Sequence, residues 1–117
     1  MTVPAATWNV TADQGKTWAR QVTYRYNGSP FDLTGWGARL AVKRNFTSAA
    51  VLELDSADGD FVLGGPTGTI EWSVSAVDME DLSGKYRWDL EIYSLSDPAM
   101  VYGVARGEFC VRPEVTT

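Results

Sequence analysis

The sequence predicts an all-β domain, an antiparallel immunoglobulin-like sandwich of two sheets with about seven to eight strands and one short helix. Three observations point there. Apolar and polar residues alternate with a period of two through short segments, turn-forming residues cluster about every ten positions between them, and only one stretch carries both a helix start and a helix stop. The 117 residues, 44% of them apolar, suffice for a single core, so one domain is expected over 1–117, with short arms at about 1–5 and 113–117.

The first strand is expected over 6–11, closed by Asp13-Gln14-Gly15. The second, over 17–26, sets Trp18, Val22, Tyr24 and Tyr26 on one face, with Arg20 falling on that apolar side as a mark of the strand's exposed end. Asn27-Gly28 suits a turn with positive φ, and Asp32 can bond its own downstream backbone in a second turn, Asp-Leu-Thr-Gly. A strand over 37–44 then turns Ala38, Leu40 and Val42 inward and Arg39, Ala41 and Lys43 outward, and 50–54 has the length to pair with it.

After the acidic turn 55–60 come a short strand over 61–64, the break Gly65-Pro66-Thr67-Gly68, and a strand over 69–75 with Ile70, Trp72 and Val74 on one face. Ser75 can cap a helix of one or two turns before Gly84. The strand over 85–94 alternates Tyr86, Trp88, Leu90 and Ile92 against Lys85, Arg87, Asp89, Glu91 and Tyr93. In the last strand, 100–112, Gly103 and Gly107 predict a bulge or a close backbone approach.

Composition narrows the function. The net charge of -5 disfavours nucleic acid, whose phosphates call for clustered Lys and Arg. The chain has no histidine, the commonest general base and metal ligand. Cys110 is the single cysteine, expected as a buried, inert thiol in the last strand. The N-terminus has neither a basic nor an apolar signal region and no apolar run approaches a bilayer's thickness, so a membrane partner is not expected and the chain is expected to stay in a cytoplasm or join a larger assembly there.

Glu53, Asp55, Asp58 and Asp60 could gather around Ca²⁺, but their spacing is not that of a calcium loop and Asp-Gly between strands is an ordinary turn. Asp78, Glu80 and Asp81 suit the start of the short helix. A paired-carboxylate glycosidase needs a cleft for which so small a chain leaves little material, and Gly64–Gly68 lacks the following Lys-Ser or Lys-Thr of a phosphate loop. No enzyme, metal or cofactor is expected.

The aromatic content points elsewhere. Five Trp, five Tyr and four Phe exceed what a small core must hold. Trp18, Tyr24, Trp72, Tyr86 and Trp88 suit the core, whereas Trp36, Phe46, Tyr93 and Tyr102 fall on no clear inward face and suit a protein interface or a sugar-stacking surface.

The stretches "GKTWARQVTYRYNGSPFDLTGWGARLAVKR", "VLELDSADGDFVLGGPTGTIEWSVSAVDMEDLSGKYRWDLEI" and "GVARGEFCVRPEVT", spanning about 14–116, resemble the small β-sandwich structural proteins of tailed bacteriophages, in particular the N-terminal domain of upper baseplate proteins. In that order of motifs Gly84 ends the helix and Pro113 ends the last strand. The resemblance implies a non-enzymatic virion protein, made in the host cytoplasm, without choosing between tail, baseplate and head; the leading reading is a tail or baseplate part in contact with other virion proteins in symmetric copies, with a homo-oligomer in the particle left open. A capsid decoration protein is the nearest alternative, and a carbohydrate-binding module is one of another class. In the virion reading Arg39, Lys43 and Arg44 meet acidic partner surfaces, Trp36 anchors its turn, and Phe46 supports the adjoining loop, with Tyr93 and Tyr102 completing the interface set; the other reading of Arg39 and Lys43 is a solvated face that protects a sheet edge.

Overall fold

The period-two stretches fold as strands in the computed structural model, which describes residues 5–97 and 99–114. In chain order these are β1 (Ala6–Thr7), β2 (Val10–Asp13), β3 (Trp18–Thr23), β4 (Arg25–Tyr26), β5 (Ser29–Pro30), β6 (Trp36–Lys43), β7 (Ala50–Asp55), β8 (Phe61–Leu63), β9 (Thr69–Val74), the helix α1 (Ala76–Met79), β10 (Gly84–Ser94) and β11 (Val101–Arg112). The larger sheet runs β7-β6-β10-β11, with β1 and β2 both beside β11; the smaller runs β3-β9-β8, and β4 and β5 form a separate hairpin. The chain is thus the expected all-β sandwich with one short helix.

It is not antiparallel throughout. β1 and β2 run parallel to β11, and the segment expected as one strand over 6–11 is two pieces. Between them the Trp8 backbone N–H donates to the Arg106 carbonyl at 2.8 Å, and Asn9 Oδ1 accepts from the Glu108 N–H at 3.1 Å. Gly107 permits this approach: a Cβ there would stand 2.4 Å from the Trp8 carbonyl oxygen. The bulge expected at Gly103 is present, since Leu90 pairs with Ala105 but Glu91 with Gly103, leaving Val104 as the extra residue.

The second expected strand also divides. Tyr24 leaves the smaller sheet, donating its N–H to Gly68 and accepting from Phe31, both at 2.8 Å, and the chain enters the β4–β5 hairpin. Asn27 and Gly28, at φ +51° and +81°, make the turn that a two-residue hairpin requires. Arg20 is exposed in the middle of β3, not at its end, because β3 is the smaller sheet's edge.

The two sheets enclose an aromatic spine. Trp18 and Trp72 come from the smaller sheet, Trp88 and Phe109 from the larger, and all four are buried. Their rings meet edge to face: Trp18 lies 5.6 Å from Trp72, 6.3 Å from Trp88 and 4.8 Å from Phe109. Ala38, Leu40, Val42, Leu90 and Ile92 fill the space beside them, as their alternation required. The Ser75 hydroxyl caps α1 by accepting from the Asp78 N–H at 3.2 Å, and the buried Met79 pins the helix to the core. Gly84 does not end this helix; at φ +90° it opens β10.

Candidate functional site

Inward packing of one face of the larger sheet leaves the alternate residues on the other, and cross-strand register arranges them in rows. In the first row Asp55, Arg39 and Glu91 stand side by side. The second row holds Glu53, Ala41, Asp89, Arg106 and Thr7. Lys43, Arg87 and Glu108 make the third, and Lys85 with Cys110 the fourth. This face is the floor of an open trough of about 1030 Å³, flanked by the loop carrying Asn45 and Phe46 on one side and by Thr7 and Asn9 on the other.

Some charges on this floor are matched across strands, Arg87 beside Glu108 and Asp89 beside Arg106, and others are not. Lys43 and Arg87 are directly opposite one another, an unfavourable like-charge pair, and Glu53 and Asp89 flank the small Ala41. Among the described residues the only ion pair on the face joins Arg39 to Glu91; the other two, Lys16 with Glu114 and Arg112 with Asp13, lie elsewhere. Arg87 instead holds its guanidinium over the Phe46 ring, 5.0 Å from its centre, and Phe46 is 79% exposed. Asp89 remains in reach of solvent, yet the walls of the trough strip part of its hydration; that desolvation, and then the Glu91 charge, raise its pKa against the pull of Lys43 and Arg39.

At one end of the trough Tyr93 lies flat over Gly37, where a Cβ would stand 2.6 Å from the ring. Its hydroxyl donates to Asp55 at 2.5 Å, and the bond to that carboxylate raises the phenol's pKa. Arg39 covers the ring at 5.1 Å. Tyr93 therefore belongs to the face but is held in place.

The seven residues expected at an interface thus divide. Arg39, Lys43 and Phe46 line one trough; Tyr93 stands just beyond its end, bonded to the lining Asp55, and shares a small separate pocket with Trp36. Trp36 and Tyr102 do not join them: both are half-buried, their rings 5.2 Å apart, and with Phe31 they close one end of the core. The turn at 32–35 folds Trp36 there, with the Thr34 N–H bonded to Asp32 and the Trp36 N–H to Leu33. Arg44 also lies apart, stacked 4.1 Å above the Tyr86 ring. Arg87, Asp89, Glu91, Arg106 and Glu108 complete the face instead. Their outward alternation was visible in the sequence, but which charges stand together depends on strand order.

Two further expectations resolve here. Cys110 is half-exposed, because alternation along β11 puts Phe109 and Val111 inside and Cys110 outside. The acidic stretch at 55–60 is a turn: Asp55 accepts from the Ala57 N–H and Asp60 from the Asp55 N–H, both at 3.0 Å. No group of three or more His, Cys, Asp or Glu converges to hold a metal among the described residues.

No family model and no curated protein matches the chain. Among solved structures it is similar to the extracellular domains of the voltage-gated sodium channel β4 subunit, whose parallel homodimers explain that protein's role in cell–cell adhesion, at 12% identity over 98% of both chains and a TM-score of 0.44. It is also similar to extracellular domains 3–5 of Drosophila OTK, at 17% identity over 98% of this chain and 35% of that one, with a TM-score of 0.35. The two-sheet layout rests on the chain's own strand pairing.

Proposed function

We propose that this domain is a non-catalytic structural part of a tailed-bacteriophage particle, at the tail or baseplate, that works by laying the outer face of its larger sheet against neighbouring subunits. The observation that carries the reading is the trough floor, where Lys43, Arg87, Asp89 and Glu108 have no ion-pair partner among the described residues, beside the exposed Phe46. Charges held close together on a partly enclosed surface gain most from a complementary partner, and close interfacial charge pairs are worth roughly 1.5–7 kcal/mol in coupling energy. An exposed ring at the border of such a patch suits a contact anchor. The virion setting rests on the sequence resemblance over about 14–116.

A capsid decoration role would use the same face on a different surface. Sugar stacking is less well served, since Phe46 is the only large exposed aromatic side chain among the described residues. The test is incorporation. A Phe46→Ala, Arg87→Ala double variant is expected to fold like wild type and to be depleted from purified particles, and fractionating tails from heads locates the wild-type chain. Normal incorporation of the double variant would overturn the assignment of this face.

A further inference from the structure

We infer that the occupant of the trough is a second copy of this chain, stacked face to face about a two-fold axis that runs across the strands between the second and third rows. This deepens the proposed function and rests on it for its biological setting. The outward residues of β10 read Lys85, Arg87, Asp89, Glu91: two cations, then two anions. A strand with that order is complementary to itself when reversed. In the stack Lys85 faces Glu91 of the second copy and Arg87 faces Asp89, each contact occurring twice, as an isologous interface requires.

The neighbouring strands obey the same operation. On β11 Arg106 and Glu108 exchange partners with Glu108 and Arg106 of the second copy. On β6 Lys43 of the second copy comes over Ala41, the small residue that Glu53 and Asp89 flank. Of the like-charge neighbours, Arg87 and Asp89 are each met directly by the opposite sign, and Lys43 comes to lie between Asp89 and Glu53 of the second copy. The fourth row then lies over the first, bringing the Phe46 loop to the Arg39 and Tyr93 end of the second copy.

The size is adequate for a weak dimer. Five strands at about 4.8 Å and four rows at about 7 Å span on the order of 650 Å² per copy, close to the roughly 800 Å² per partner of a standard interface. Because polar and charged contacts dominate, the association should respond steeply to salt.

Sedimentation velocity tests this. Wild type is expected to dimerise at about 20 mM salt and to shift toward monomer at about 500 mM, where the Debye length has fallen from roughly 20 Å to roughly 4 Å. Arg87→Asp and Asp89→Arg should each weaken self-association by roughly a hundredfold or more, since each makes both copies of one contact repulsive. Mixed together, the two variants should form a heterodimer, because the carboxylate introduced at position 87 of one chain then faces the guanidinium introduced at position 89 of the other. A wild type that is monomeric at both salts, a dimer that both variants retain, or a mixture that stays monomeric would overturn the stack. Incorporation separates the two ideas: with the stack overturned, the proposed function stands if Arg87→Asp is still excluded from particles and falls if it is incorporated normally.

Discussion

Gly107→Ala tests the least expected part of the fold, the parallel docking of the first strands on β11. A methyl at this position would lie 2.4 Å from the Trp8 carbonyl oxygen, about 1 Å inside ordinary contact, and 2.8 Å from Asn9 Oδ1. The Trp8 carbonyl is where the Trp88 indole N–H donates, at 2.8 Å, and Trp88 is 3% exposed. Moving that carbonyl aside strands a buried donor, at a cost of about 1–3 kcal/mol, and crowding a packed site adds about 1–3 kcal/mol. Loss of glycine's freedom in the unfolded chain returns about 0.4–1 kcal/mol. The net expectation is a destabilisation of about 1–5 kcal/mol, read as the shift of a urea transition followed by tryptophan fluorescence. Gly103→Ala is the control: its methyl would lie 3.1 Å from the Ala5 methyl, a contact that slight movement relieves. A Gly107→Ala protein within about 0.5 kcal/mol of wild type, the range of a neutral surface change, would mean that Trp8 does not press on Gly107 in this way.

Other outcomes follow from single contacts. Ser75→Ala removes the cap of α1 and should cost about 1 kcal/mol in the same transition. Folding raises the pKa of Asp89 above its ordinary value of 3.8, so the stability this carboxyl contributes is complete below that value and is lost as pH rises through the folded one. Asp89→Asn should therefore be at least as stable as wild type at neutral pH in dilute solution, and the gap between the two stability curves should narrow toward acid as wild type gains; curves that run parallel would contradict the shift. Cys110, half-exposed on the sheet's outer face, should react with a thiol reagent in the native protein, whereas labelling only in denaturant would place it inside.

Much of this fold was readable because alternation survives any strand order. Ile70, Trp72 and Val74, like Tyr86, Trp88, Leu90 and Ile92, point inward whichever strand lies beside them, and Ser75 caps its helix by local geometry alone. Gly103 and Gly107 announced irregularity for the same reason, since a missing side chain has a local meaning. The parallel pairing of β1 and β2 was not readable, because it depends on which residues approach Gly107 from nearly a hundred positions away. The candidate site was half readable. Arg39, Lys43 and Phe46 were visible as outward or unplaced residues, but Trp36 and Tyr102 were drawn into the end of the core by Phe31, a partner that no period-two pattern identifies. The charge pattern of β10 was written in the sequence, yet it became meaningful only once β6 and β11 stood on either side of it.

A density map of particles that carry this chain shows which sheet meets the neighbours. Protein is expected to cover the outer face formed by β7, β6, β10 and β11, with Phe46 and Arg87 inside the contact. A chain whose trough faces open solvent while the β3-β9-β8 sheet makes the contacts would contradict it.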